Sequence, residues 1–372
     1  MNYYIIAGEA SGDLHASNLM KSILNLDKKA TFRCWGGDLM QAQGGFLVKH
    51  YKQLAFMGFS EVLLNLSTIL KNIKFCKKDI ISNKPDVLIL VDYPGFNLRI
   101  AEYAKKHGIK VFYYISPQIW AWKQNRVHKI KRIVDKMFVI LPFEKDFYAR
   151  FHYNVDYVGH PLLDAIEEYN VKKLSFEEFT QKHKLESKPI IALLPGSRKQ
   201  EISKMLNVML SIASFYKDYQ FVIAGAPSID AEFYNLLINH ENIKIVSNST
   251  YELLQHSTAA LVTSGTATLE TALFEVPEVV CYSGSKISYE IAKRLIKVKY
   301  ISLVNLIMDE QVVKELIQDD FNSMNLKQEL DKLLFDEQNK KNLFEKYKEL
   351  RKKLGNSGAS IRTATIMINN LQ

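Results

Sequence analysis

Leu261-Val262-Thr263-Ser264-Gly265-Thr266-Ala267-Thr268-Leu269-Glu270-Thr271-Ala272 is the stretch whose reading decides the fold. An apolar strand, Ala259 to Val262, runs into four small residues. A helix then starts, with Glu270 one turn in. Small residues at a strand-to-helix junction let a bulky group approach the backbone, and the N–H groups of a helix start attract an anion. Ser264, Gly265, Thr266 and Ala267 therefore read as a diphosphate seat, with Glu270 placed to accept hydrogen bonds from a ribose. The same residues also describe an ordinary capped helix after a sheet strand, so the rest of the chain has to decide.

The chain has 372 residues, 47% of them apolar and 24% charged. That length suggests two domains, each with its own core. No apolar run reaches the length of a membrane-spanning helix. The apolar start, Tyr3 to Ala7, is too short for a signal peptide and runs into a glycine motif, so a cytoplasmic location is expected. Cys34, Cys76 and Cys281 show no paired or metal-like spacing, so neither disulfides nor a cysteine-based metal site is expected. The net charge of +9 suits nucleic acid, an anionic membrane surface or phosphorylated substrates. No zinc-finger, basic-zipper or RNA-recognition signature is present, and no nucleic-acid partner is expected.

From the start, a buried strand (Tyr3 to Ala7) meets Gly8-Glu9-Ala10-Ser11-Gly12-Asp13 and then a helical pattern from Leu14 to Leu26. Strand, glycine loop and helix open a doubly wound sheet. The loop is not Gly-x-Gly-x-x-Gly, so the dinucleotide fingerprint is absent. Thr31 to Trp35 is a second strand, and Gly44-Gly45 marks a loop. Val62 to Ile73 is a helix whose apolar positions Val62, Leu66, Ile69 and Ile73 recur at spacings of three and four; Leu63, Leu64 and Leu70 widen its apolar arc beyond one ordinary core face, and Lys71, Lys74, Lys77 and Lys78 follow. Such an arc fits either a well-buried helix or one that docks on an anionic bilayer. Asp86 to Val91 is a strand buried on both faces, ending in Asp92-Tyr93-Pro94-Gly95-Phe96-Asn97. A carboxylate at that strand end makes Asp92 a candidate general base; a turn-forming Asp ahead of Pro94 is the other reading. The strand Val111 to Ile115 leads to Ser116-Pro117 and to Trp120, Trp122 and Lys123, aromatics that can line a sugar or acyl site. Strands over Met137 to Leu141 and Val155 to Val158 end in Pro142-Phe143-Glu144 and Gly159-His160.

Residues 163 to 188 turn polar, and the domain boundary belongs there, giving 1–165 and 166–354. The alternation then restarts. The strand Ile190 to Leu194 ends in Pro195-Gly196-Ser197-Arg198, where Arg198 stands as a diphosphate-binding arginine would. Strands at Gln220 to Ala224, Ile243 to Val246 and Val279 to Tyr282 complete a second β-α half. Two such halves predict two Rossmann-like α/β domains facing a cleft, with two loops of one sheet holding one diphosphate. Lys286 to Lys299 is basic and helical. After a break at Gly355 to Gly358, a last helix, about 355–372, is read as returning to the first domain. This detached helix is compatible with segment exchange between subunits, hence with a homodimer.

Taken in order, these motifs resemble the lipid-A-disaccharide synthase family, inverting glycosyltransferases with the two-domain GT-B fold. The residues that carry the resemblance are Gly8 to Asp13, Met57-Gly58 with Glu61-Val62-Leu63, Asp92-x-Pro94-x-Phe96-Asn97, and Ser116-Pro117 through Trp120-Ala121-Trp122. Leu141 to Glu144, Gly159-His160, Leu194 to Arg198, Ser264 to Ala267 with Glu270, and Ser302-Leu303 with Asn305-Leu306 continue it. The chain departs from the family at Met308-Asp309-Glu310, where Ala-Gly-Arg is common, and at Val304, where a proline is common.

The resemblance implies UDP-2,3-diacylglucosamine as donor and 2,3-diacylglucosamine 1-phosphate as acceptor. It implies attack of the acceptor's 6-hydroxyl on the anomeric carbon with Asp92 as base, and UDP held by Arg198, Ser264, Gly265, Thr266, Ala267, Glu270 and Asn305. Ser11, Gly12, Asp13, Trp120 and Trp122 would face the acylated sugars. No cofactor is implied, and no Asp-x-Asp pair stands poised for a metal. Acyl-chain substrates also favour docking of the Val62 to Ile73 region on the cytoplasmic face of the inner membrane. The same UDP seat fits a nucleotide-sugar 2-epimerase or a peptidoglycan-precursor transferase, and the basic charge fits a non-enzymatic membrane-surface protein; Asp92 and Trp120 argue against the first two, and the phosphate loops against the last.

Overall fold

Val87–Val91 and Ile190–Leu194 are buried at every residue. Only a strand covered by helices on both faces gathers such an unbroken apolar run, and parallel sheets provide that cover. The computed structural model describes residues 1–54, 66–170, 173–227, 229–238, 243–285, 289–290 and 298–371. Two compact units divide the chain, one of Met1–Ala165 with Asn356–Gln372 and the other of Ile166–Gly355.

The first unit carries β1 (Asn2–Ala7), β2 (Thr31–Gly36), β3 (Phe46–His50), β4 (Val87–Val91), β5 (Lys110–Tyr114), β6 (Lys136–Val139) and β7 (Asp156–Tyr157). They lie in the order β3-β2-β1-β4-β5-β6-β7, all parallel. The second unit carries β8 (Ile190–Leu194), β9 (Gln220–Gly225), β10 (Ile243–Ser247), β11 (Ser257–Thr263), β12 (Glu278–Tyr282) and β13 (Lys314–Ile317). Their order is β10-β9-β8-β11-β12-β13, again parallel throughout. Both units are thus doubly wound α/β folds of the Rossmann type. Two strands differ from the sequence reading. β3 falls just after Gly44-Gly45, where the glycines predict only a loop, and β13 lies in an unassigned stretch. β3 is an edge strand, exposed or half-exposed throughout, so it lacks the apolar run that marks the central strands.

The helix expected over Val62 to Ile73 is described from Leu66 to Asn83. Its first part, with Met57, Gly58, Glu61, Val62, Leu63 and Leu64, lies outside the described residues, as do Lys293, Arg294 and Lys297. The buried face is Asn72, Ile73, Cys76, Asp79 and Ile80; Leu66 is exposed and so is not a core position, and Leu70, read as widening the apolar arc, is exposed as well. Asp79 sets this orientation. Its carboxylate accepts from the Tyr4 hydroxyl at 2.7 Å and from Arg33 Nε at 2.7 Å and Nη2 at 2.6 Å, so the helix is tied polar side inward to β1 and β2. Among the described residues, no helix is long and apolar enough to cross a membrane.

The last helix, Ala359–Asn369, packs on Ala10–Leu26 and belongs to the first unit. Asp164 anchors its start. The carboxylate accepts from the backbone N–H groups of Gly358 (2.5 Å), Ala359 (3.1 Å) and Ser360 (2.8 Å), the donors that a helix start leaves over. Arg362 closes the same turn by donating to the carbonyls of Val158, Ser357 and Asn356. Asp164→Ala is therefore expected to lower stability by about 1–2 kcal/mol, the usual cost of a lost cap, read as an earlier midpoint in urea unfolding; an unchanged midpoint would show that the cap contributes nothing.

Candidate active site

β1 and β4 are neighbours, with Ala7 opposite Val91, so Gly8–Asp13 and Asp92–Asn97 leave the sheet side by side. β2 lies on the other side of β1, and β5 on the other side of β4. The chain therefore departs in opposite directions at this border, which is where open α/β sheets bind ligands. Gly8 makes the approach possible: a Cβ there would sit 2.4 Å from the Tyr93 ring. Asp92 is half-buried. Loss of water, then the nearby Glu9 carboxylate, push its pKa up to about 7, and only the Tyr93 N–H opposes the rise. A carboxyl poised there exchanges its proton at neutral pH, which is what a general base needs. Glu9 stands in the Gly8–Asp13 motif, where the sequence assigns it no role. Its signal was its place directly after a strand that borders the Asp92 strand.

The other expected residues of this unit separate. Ser11 is exposed and Gly12 packs on Ala7, both in the first turn of Ala10–Leu26. Asp13 is buried, and its carboxylate accepts from Gly37 N (2.7 Å), Leu39 N (3.1 Å) and Met40 N (3.1 Å), capping the short helix Asp38–Ala42. Three backbone donors within the fold occupy most of its acceptor capacity. Trp120 is buried too. It is 7% exposed and meets Phe143 edge-on at 4.9 Å, whereas Trp122 is 44% exposed, with Lys123 Nζ 4.0 Å from its ring centre. Trp122 remains available to a ligand; Trp120 is core. His160 is buried, accepts from Leu162 N through Nδ1, and is pushed down to about 3 by burial, so it stays neutral.

Glu144 organises the segment that carries these tryptophans. Its Oε2 accepts from Ile140 N at 3.1 Å and Leu141 N at 2.9 Å. Ser116 and Trp120 also lie close enough to favour its ionised form, and the Ser116 hydroxyl pairs with Tyr148 OH at 2.7 Å. Burial outweighs them all and raises Glu144 to about 7.

In the second unit, β8 and β11 are neighbours, with Leu194 opposite Val262. Pro195–Arg198 and Ser264–Glu270 therefore leave the sheet together at its own point of reversal. Gly196 has φ 107°, and a Cβ there would meet Glu201 at 2.4 Å, so the loop needs glycine. Arg198 is exposed at the N-cap of the helix Lys199–Leu210. Gly265, at φ 158°, opens the helix Thr266–Leu273, and Thr266 and Ala267 form its half-exposed first turn. The Ser264 hydroxyl donates to the Ile301 carbonyl at 2.8 Å. Glu270 accepts from Tyr251 OH at 3.0 Å, and burial raises its pKa.

Asn305 makes its side-chain hydrogen bonds within the fold. Fully buried in Leu303–Met308, its Oδ1 accepts from Val312 N (2.8 Å) and Val313 N (2.9 Å). Its Nδ2 donates to Val313 O and Glu315 Oε1, both at 2.9 Å. An amide makes four such bonds, and all four are filled within the fold. Asn305 therefore fastens the chain into β13 and has no side-chain capacity left for a diphosphate. Among the described residues, no group of three or more His, Cys, Asp and Glu gathers as a metal ion would require.

A family model described as lipid-A-disaccharide synthetase matches residues 3–367. The chain belongs to the lipid-A-disaccharide synthase family. It is 40% identical to the lipid-A-disaccharide synthase of Geobacter metallireducens, over 99% of this chain and 96% of that one. It is 35% identical to that of Coxiella burnetii, over 98% and 97%. In three dimensions it resembles a putative UDP-N-acetylglucosamine 2-epimerase from Listeria monocytogenes (TM-score 0.71, 12% identity, 100% and 96% covered). It also resembles a UDP-GlcNAc 2-epimerase from Methanocaldococcus jannaschii in complex with UDP-GlcNAc and UDP (TM-score 0.67, 15% identity, 99% and 100% covered). At those identities the likeness is one of fold. Asp309 sits at φ 55°, a left-handed conformation that Asp tolerates.

Glu144 gives this site a measurable pH signature. Burial holds its folded pKa at about 7, above the ordinary carboxylate range, so its contribution to stability falls as pH rises through the interval between the two. Glu144→Gln removes the titration. The melting temperature of the variant relative to the parent is expected to rise between pH 5 and pH 7.5; a constant difference would show that Glu144 does not titrate there.

Proposed function

We propose that this chain joins UDP-2,3-diacylglucosamine to 2,3-diacylglucosamine 1-phosphate, releasing UDP and the β(1→6)-linked disaccharide 1-phosphate. That the chain is an enzyme of lipid A disaccharide synthesis follows from its family, which matches nearly end to end. The observation that carries the chemistry is Asp92, half-buried at the strand border with a pKa near 7. Ionised, it takes the proton from the acceptor's 6-hydroxyl as that oxygen attacks the anomeric carbon. The bond from this carbon to the diphosphate oxygen breaks on the opposite face, and the configuration inverts. Negative charge then grows on UDP. Arg198 and the N-terminal N–H groups around Thr266 and Ala267 offer it compensation as it forms, and Glu270 is the acceptor for the ribose.

The helix Leu66–Asn83 supports a membrane-surface role. Its outer face carries Leu66, Leu70 (52% exposed) and Phe75 (49% exposed), with Lys71, Lys74 and Lys78 exposed among them. Apolar side chains rimmed by lysines suit the anionic, acyl-bearing cytoplasmic face of the inner membrane, where diacylated substrates reside.

Incubation with both lipid substrates is expected to yield UDP and disaccharide together; neither product would refute the assignment. Asp92→Asn should lose at least about a hundredfold in turnover while UDP affinity stays close to that of the parent. The kcat/KM of the parent should fall below about pH 7 as Asp92 is protonated, and retention of turnover by Asp92→Asn would remove it from the role of base. Leu70→Ser with Phe75→Ser should reduce sedimentation with vesicles rich in anionic lipid while leaving the melting temperature nearly unchanged; undiminished sedimentation would refute docking through this face.

A further inference from the structure

β4 is regular through Val91, and Asp92 still donates its N–H to the Tyr114 carbonyl at 3.1 Å. The backbone then turns left-handed at two successive residues, Asp92 (φ 45°) and Tyr93 (φ 49°). Neither is glycine, so the surrounding structure has to hold this conformation against its steric cost. What holds it is on the far side of the carboxyl. The Asp92 carbonyl accepts from Tyr113 OH at 2.5 Å and from Asn97 Nδ2 at 2.7 Å. Asn97 Nδ2 also lies 3.3 Å from the Val91 carbonyl and 3.5 Å from that of Ile6. Three carbonyls around one atom require that atom to be the amide nitrogen. Asn97 Oδ1 has no hydrogen-bond partner among the described residues, so what this side chain contributes here is its donors. Asn97 and Tyr113 are both fully buried, and neither is exposed to touch a substrate.

We propose that Asn97 and Tyr113 are positioning residues for the transfer reaction. By gripping the Asp92 carbonyl together they lock the left-handed turn and fix where the Asp92 carboxyl stands. The proposal rests on the reading of Asp92 as the base. The charged and titratable groups around that carboxyl are Glu9, from the loop after β1, Tyr93 beside it, and Tyr113 from β5. Removing a grip on the carbonyl lets the turn relax and the carboxyl gain water. Its pKa then moves toward the ordinary carboxylate range, and the reacting oxygen loses its position.

Tyr113→Phe deletes one hydroxyl and keeps the ring. Its kcat is expected to fall about 10- to 100-fold, as for a misplaced catalytic group, with KM for both substrates and UDP affinity little changed. The acidic limb of its kcat/KM profile should move to lower pH. Asn97→Leu, which keeps the volume and removes the donors, should do the same where it folds; Tyr113→Phe decides the matter where it does not. A parent-like kcat and an unmoved acidic limb in Tyr113→Phe would overturn the proposal. So would a loss of activity that merely follows the loss of folded protein with the limb unmoved. Asp92→Asn separates the two readings. If it is inactive while Tyr113→Phe behaves as the parent, only the positioning role fails; if it turns over at the parent rate, the base and its positioning fail together.

Discussion

Two adjacent parallel strands whose chains leave in opposite directions cannot share a covering helix at their ends. The gap that results is the constraint around which both units arrange their loops. It occurs once in each unit, between β1 and β4 and between β8 and β11. Each gap receives two loops, and both pairs answer with the same materials: a glycine that admits a close neighbour, a helix start and a charged side chain. Backbone approach is set at Gly8 by the Tyr93 ring and at Gly196 by Glu201. The fold thus determines where a ligand meets the sheet before any catalytic residue is chosen.

Three carboxyl groups near the ends of the first sheet show how local partners divide labour. Asp13, Glu144 and Asp92 all feel burial as the leading influence on their proton affinity. Asp13 receives three backbone N–H groups and Glu144 two, and both are buried. They act as fasteners of the chain. Asp92 has the Tyr93 N–H alone to favour its charge, a second carboxylate beside it, and partial exposure. That arrangement would be costly in a purely structural residue, and it is the one the proposed role of Asp92 as base calls for.

Much of this was legible in the residues. Central strands announce themselves by unbroken apolar runs, and β1, β4, β8 and β11 were each placed with the loops that follow them. Asp92 and Arg198 were visible as polar residues at the ends of such runs. What a linear reading misses is how a polar side chain spends its hydrogen bonds. Asn305 and Asp13 stand in motifs as suggestive as that of Asp92, yet their partners, Val312, Val313 and Glu315 for the one and Gly37 to Met40 for the other, come from separate turns of chain. Trp120 and Trp122 are two residues apart and divide between core and surface for the same reason: Phe143 covers one and not the other. Edge strands such as β3 lack the apolar run altogether.

The return of the helix Ala359–Asn369 to the first unit has a consequence for synthesis. That unit's own residues stop at Ala165 and resume at Asn356, with the whole of the second unit between them. The surface of Ala10–Leu26 that this helix covers must therefore wait while the intervening 190 residues, 166 through 355, are made. At translation rates of about 5–20 residues per second the wait is roughly 10–40 s, far longer than helices and hairpins take to form. The nascent first unit spends that interval as a nearly finished sheet with one apolar helix face open. It is a state in which a holdase, or premature pairing with another nascent chain, competes with completion of the fold.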